Sequence, residues 1–173
     1  SVGVDEMKIF TKAVAKGVKR ALVVTDMPFL SYQLDMNEAV RNAGRYIKEA
    51  RCDAVKLEGG SEIVPLVEKL VRTGMPVMAH VGLMPQHIQT AGGYRVAGKT
   101  EEDAARLLNE VKAFENAGAF AVVLECIPAA VAQTITAEVN IPTIGIGAGV
   151  YTDGQVQVCN DIFGLFDRFV PRH

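Results

Sequence analysis

Apolar residues fall into two alternating kinds of segment along the chain. Short, nearly unbroken apolar runs at 21–26, 53–60, 75–82, 120–125 and 141–149 have the length and composition of buried strands. A weaker run at 156–161 predicts a sixth. Between them, segments 4–19, 35–50, 61–72, 100–116 and 128–139 carry apolar positions at helical spacing. The punctuation agrees. Gly17, Gly74 and Gly118 stand where helices should stop, and Pro65 lies near enough to a first turn to be tolerated. Asp35 or Asn37 offers a cap, and Thr100 with Asp103 has the spacing of a capping box. Phe163, Phe166 and Phe169 sit at roughly helical spacing in the tail.

Strict alternation of apolar strands with helices predicts an α/β protein in which parallel strands are covered by helices. A doubly wound sheet and an eight-stranded barrel both satisfy it. Asp26, Glu58, His80 and Glu125 each close a different strand, and that is how a TIM (β/α)8 barrel gathers a site on one face. A barrel needs eight units in roughly 250 residues. About six are visible, so residues 1–173 are expected to form a single barrel domain without its first strands, which would precede Ser1, and incomplete at the C-terminus also.

Composition narrows the partners. The 173 residues are 49% hydrophobic, enough for one domain's core. A formal net charge of -2 and a pI near 5.9 leave no basic excess for nucleic acid or for an anionic membrane. No apolar run is long enough to cross a bilayer. Cys52, Cys126 and Cys159 are odd in number and contain no C-x-x-C pair, which fits a reducing cytoplasm with each cysteine a small buried hydrophobe.

Candidate chemistry collects at the strand ends. Lys56 and Glu58 lie two apart on one strand and so point the same way, either as an ion pair on a sheet rim or as one wall of a site. Asp26 and Glu58 are hard oxygen ligands suited to magnesium, or else caps for loop amides. His80 is a candidate substrate contact or a core histidine. Glu125, closing an apolar strand, is placed to take up a proton. The glycines at 145–149 could cradle a phosphate or simply admit a close neighbour. Residues Gly93 to Thr100 match the phosphate-loop pattern G-x-x-x-x-G-K-[ST]. Polar residues at 86–91 and three acids opening the next helix argue against it, so a nucleotide-binding protein stays as an alternative only.

Several ordered motifs carry a resemblance: Val24-Thr25-Asp26-Met27-Pro28-Phe29, the stretch from Ala54 to Gly60, His80-Val81-Gly82-Leu83 with Pro85-Gln86, Gly92-Gly93-Tyr94, Leu124-Glu125-Cys126-Ile127-Pro128, Ile144 to Gly149, and Thr152-Asp153-Gly154-Gln155. Across nearly its whole length the chain resembles the ketopantoate hydroxymethyltransferases. The resemblance implies a barrel of the phosphoenolpyruvate/pyruvate type and a magnesium-dependent enzyme of pantothenate synthesis. Such an enzyme moves a hydroxymethyl group from 5,10-methylenetetrahydrofolate to 3-methyl-2-oxobutanoate, through a magnesium-stabilised enolate. By resemblance Asp26 binds magnesium and substrate, Lys56 the substrate, Glu58 magnesium directly or through water, and Glu125 accepts the proton. A cytoplasmic, large homo-oligomer, a decamer, is implied as well. The family's Gly-Asp-Ser-Leu-Gly motif has no counterpart here and would lie before Ser1. A magnesium-dependent 2-oxoacid lyase of the same barrel superfamily could use the same acids.

Overall fold

In the computed structural model, which describes residues 2–87 and 96–165, the five stronger apolar runs form strands and a sixth strand lies at the sheet edge. These are β1 (Val24–Asp26), β2 (Ala54–Glu58), β3 (Val77–Gly82), β4 (Ala121–Glu125), β5 (Thr143–Ile146) and β6 (Gly154–Gln155). They make one sheet in the order β1-β2-β3-β4-β5-β6, every neighbouring pair parallel. A doubly wound sheet reverses its strand order at a switch point. Here the order never reverses, so the sheet winds in one direction, as an arc of a barrel does.

Six α-helices accompany the strands: α1 (Val4–Gly17), α2 (Met36–Arg45), α3 (Val64–Arg72), α4 (Glu101–Asn116), α5 (Ala129–Glu138) and α6 (Cys159–Ile162). Local chemistry sets their ends. Asp35 caps α2 by accepting from the Glu38 amide at 2.7 Å, and α2 then runs on into a π-turn at Tyr46–Ala50 that closes on left-handed Arg51. A 3-10 turn at Ser61–Ile63 leads into α3, with Pro65 in its first positions, where no amide is missed. Thr100 caps α4 through the Asp103 amide. The reciprocal half of the expected capping box does not form, because the Asp103 carboxylate turns to the Gly98 amide and to Arg106.

The sheet has two unlike faces. Val55, Leu57, Val77, Ala79, Val81, Val122 and Leu124 are buried against the helices, sharing a core with Leu66, Val67, Leu70, Leu107, Val111 and Phe114. On the other face the paired registers align Asp26 with Lys56, Glu58 with His80, and Gly82 with Glu125. Side chains alternate along a strand, so Asp26, Lys56, Glu58, His80 and Glu125 all project from this second face.

Two expectations are corrected. The sixth strand lies at Gly154–Gln155 rather than at 156–161, and residues 156–158 are irregular before α6. Val156 and Val158 are exposed, so their alternation reflects no buried face, and β5 pairs instead with the short Gly154–Gln155 edge. Cys159 is exposed on α6 rather than buried, whereas Cys52 is buried and Cys126 partly so; all three thiols are free. Phe166 and Phe169 lie outside the described residues. No helix among the described residues is long and apolar enough to cross a membrane.

Phe114 is fully buried where α4 meets the sheet. Phe114→Ala is expected to cost about 3–5 kcal/mol of stability, read as a lower urea midpoint at unchanged slope.

Candidate functional site

Lys56 is the hub of the charged face. Its ammonium lies 2.9 Å from Asp26 Oδ1 and 3.0 Å from His80 Nδ1. The ion pair open to Lys56 from sequence, with Glu58 two residues on, does not form; the cross-strand neighbour Asp26 takes that place. An ammonium has only donors, so His80 Nδ1 must accept, and the ring proton is thereby assigned to Nε2. Nε2 sits 3.1 Å from Glu125 Oε2. The contact is close, yet the N–H is not aimed along it, and Nε2 has no hydrogen-bond partner although it is buried. His80 is 2% exposed. It therefore presents a buried, unspent donor beside a carboxylate.

Glu58 differs from its neighbours. Its side chain is 7% exposed, and among the described residues no lysine or arginine lies within 4.0 Å of it. His80 Nδ1 is 4.0 Å from Oε1, beyond hydrogen-bond reach, and the Gln86 amide donates to Oε2 at 3.1 Å. A buried carboxylate so thinly compensated is costly and favours a cation. Among the described residues no three histidine, cysteine or acidic side chains converge as metal ligands. Asp26 and Glu58 are hard oxygen ligands of the kind that could hold magnesium together with oxygens from water or ligand. The Asp26 carboxylate would be shared between such an ion and the Lys56 ammonium.

The placement of Glu125 rests on tight backbone packing. Gly82, at φ +98°, ends β3 so close to β4 that a Cβ there would lie 2.2 Å from the Glu125 carbonyl oxygen, the atom that accepts from the Leu83 amide at 2.8 Å. Cys126, next in the chain, adopts φ +50°, a strained value for a residue with a side chain. Burial first, then the Glu125 charge, pushes the Cys126 thiol up, so it is an unreactive wall.

Sequence reasoning missed Tyr32 altogether and gave Gln86 no role. Pro28 ends β1, and the amide and carbonyl of Glu58 on that side would be left without a strand partner. The Tyr32 hydroxyl stands in: it accepts from the Glu58 amide at 3.2 Å and donates to the Glu58 carbonyl at 2.8 Å. Burial pushes this phenol well above its ordinary range, so it keeps its proton. Gln86 Oε1 is 3.2 Å from the same hydroxyl, and Gln86 Nε2 donates to the Met27 carbonyl at 2.9 Å. The one clue in the sequence was a proline cutting short a strand whose neighbour runs on. A cavity of about 400 Å³, bounded by Tyr32, Asp35, Met36, Glu58, Glu62 and Leu66, adjoins the site at Glu58.

The glycine-rich turn resolves toward close packing. A Cβ on Gly149 would lie 2.4 Å from the Ala129 Cβ, so the start of α5 presses on this loop. Of the phosphate-loop pattern, Gly93 to Arg95 lie outside the described residues. Thr100 spends its hydroxyl on the α4 cap, and Glu101, Glu102 and Asp103 follow it.

A parallel sheet wound in one direction, with its charged side chains gathered toward the carboxyl ends of the strands, defines an α/β protein of the (β/α)8-barrel class, of which this chain forms an arc. Solved structures agree on the fold. A candidate phosphonomutase from Burkholderia cenocepacia superposes with a TM-score of 0.72 over 95% of this chain and 74% of its own at 12% identity. Phosphonopyruvate hydrolase gives 0.57 over 84% and 52% at 13% identity. The model of the ketopantoate hydroxymethyltransferase family matches residues 1–173, and the chain belongs to that family. It is 53% identical over 172 residues to a 3-methyl-2-oxobutanoate hydroxymethyltransferase of Clostridium botulinum, and 54% over 171 residues to one of Geobacter metallireducens. Each match takes in 99% of this chain but only 62% and 64% of the relative's length.

Tyr32→Phe is expected to lower stability by about 1–3 kcal/mol through the two unpaired main-chain groups of Glu58. Denaturant titration measures it, and an unchanged midpoint would mean that water replaces the hydroxyl.

Proposed function

We propose that the chain carries the 2-oxoacid site of a 3-methyl-2-oxobutanoate hydroxymethyltransferase. The observation that carries this reading is the continuous Asp26–Lys56–His80–Glu125 contact chain on the open face of the sheet. It supplies a cation, a neutral donor and a base side by side. Substrate carboxylate and keto oxygens would meet the Lys56 ammonium, and the free His80 Nε2–H would donate to one of them. Glu125 would take the proton from C3. The charge left behind spreads onto the keto oxygen, where Lys56 offsets it. Water adds to the methylene carbon of 5,10-methylenetetrahydrofolate, and both of its carbon–nitrogen bonds break as the two folate nitrogens take up protons and tetrahydrofolate leaves. The carbon–carbon bond forms from C3 to this formaldehyde-level carbon, and its oxygen becomes the hydroxyl of 2-dehydropantoate.

Asp26 and Glu58 are the residues that would hold magnesium. Bound there, the ion would supply Lewis-acid charge beside the substrate oxygens. The assignment rests on the poorly compensated Glu58 carboxylate and on the half-exposed carboxylate of Asp26. A cytoplasmic, large homo-oligomer, a decamer by family resemblance, belongs to the same reading.

Glu125→Gln should abolish exchange of the substrate's C3 proton for deuterium, followed by proton NMR, while the 2-oxoacid still binds. Undiminished exchange would remove Glu125 as the base. Asp26→Ala should weaken magnesium binding in titration calorimetry by on the order of tenfold or more; an unaltered affinity would take Asp26 out of the metal site. Turnover that needs no folate would favour the lyase.

A further inference from the structure

The most deeply buried acid of the site is Glu58. Among the described residues Glu58 has no lysine or arginine in ion-pair range, and the hydrogen bond recorded to its carboxylate comes from the main-chain amide of Gln86. A buried carboxylate takes its orientation from the donors that reach it. Where Glu58 Oε2 sits is therefore decided by where the Gln86 backbone sits.

The Gln86 backbone is in turn held by its own side chain. Nε2 donates to the Met27 carbonyl at 2.9 Å, and Oε1 accepts from Gln33 Nε2 at 3.2 Å and lies 3.2 Å from the Tyr32 hydroxyl. All three partners belong to the segment that follows β1. The carboxamide is taken up by these partners, and the Gln86 main-chain amide donates to Glu58 Oε2. We propose that Gln86 is a positioning residue: its side chain locks onto the turn after β1 so that its main-chain N–H fixes Glu58 Oε2 and leaves Oε1 free for the ligand. The arrangement requires a donor and an acceptor at one side-chain tip. Glutamate would set an oxygen against the Met27 carbonyl, and methionine would offer neither bond.

The proposal deepens the reading of Glu58 as a ligand-side acid and rests on it. It is tested on the whole protein with a double-mutant cycle read by calorimetry of 3-methyl-2-oxobutanoate binding in the presence of magnesium. Gln86→Met should weaken binding on the order of 10–100-fold in the native background, and less than about twofold once Glu58 is replaced by glutamine. Equal losses in both backgrounds would mean that Gln86 acts as general scaffolding and would overturn the proposal. Should Gln86→Met fail to fold, or the protein not bind this acid at all, the Gln86 amide decides the matter. Glu58→Gln should shift its proton resonance upfield and speed its hydrogen exchange, because the acceptor has lost its charge. An unmoved amide overturns the positioning role. Failure of the wild-type protein to bind or turn over the 2-oxoacid, with the amide shift present, would instead count against the function proposed above.

Discussion

The Lys56 ammonium is the contact on which the rest of the site depends. It reaches Asp26 on one neighbouring strand and His80 on the other. One cation thereby fixes the direction of a carboxylate and the tautomer of an imidazole. This follows from register: Asp26 stands level with Lys56, and His80 level with Glu58, so a lysine in mid-strand can touch both. An exposed pair of this kind would contribute roughly 0–1 kcal/mol to stability. The value of the Lys56 contacts lies in order. They decide which nitrogen of His80 carries the proton and therefore which atom faces Glu125.

The backbone around these side chains is irregular at the points where the site needs it. β1 stops at Asp26, and a tyrosine hydroxyl takes over the hydrogen bonds its next residues would have made. β3 ends in a glycine pressed against the Glu125 carbonyl, and β4 is followed at once by a strained Cys126, whose carbonyl accepts from the Ala97 amide and whose amide donates to the Ile146 carbonyl. Tyr32, Gly82 and Cys126 let the strands stop while few buried polar groups go unsatisfied, with His80 Nε2 left open on the side where a ligand would lie.

Much of this was legible in the sequence, for identifiable reasons. The strands that form the sheet centre are continuous apolar runs, and Asp26, Glu58, His80 and Glu125 break that pattern conspicuously at or near strand ends. Period-two geometry alone places Lys56 and Glu58 on one face. Three things were hidden. The partner of Lys56 depends on inter-strand register, which composition does not encode. The sixth strand was misplaced because Val156 and Val158 alternate as a strand would, while the true edge holds a glycine and a glutamine. Tyr32 and Gln86 act through uncharged groups across 26 to 59 positions of chain, and no local pattern marks such contacts.

The site and the core divide the same few residues between them. Along β2, Val55 and Leu57 are buried in the helix-facing core while Lys56 and Glu58 face the charged side. The same division holds on β3, where Ala79 and Val81 flank His80 on the opposite side, and on β4, where Leu124 precedes Glu125. A buried, poorly compensated carboxylate such as Glu58 works against folding. It is carried by strands whose alternate residues each bury an aliphatic side chain, at about 25 cal/mol per Å² of apolar surface removed from water. A one-residue slip of any central strand would exchange the two sets, putting a charge into the core and a valine into the site. The requirement that keeps Glu58 in place is thus the one that keeps Leu57 buried, and stability and chemistry cannot be tuned separately along these strands.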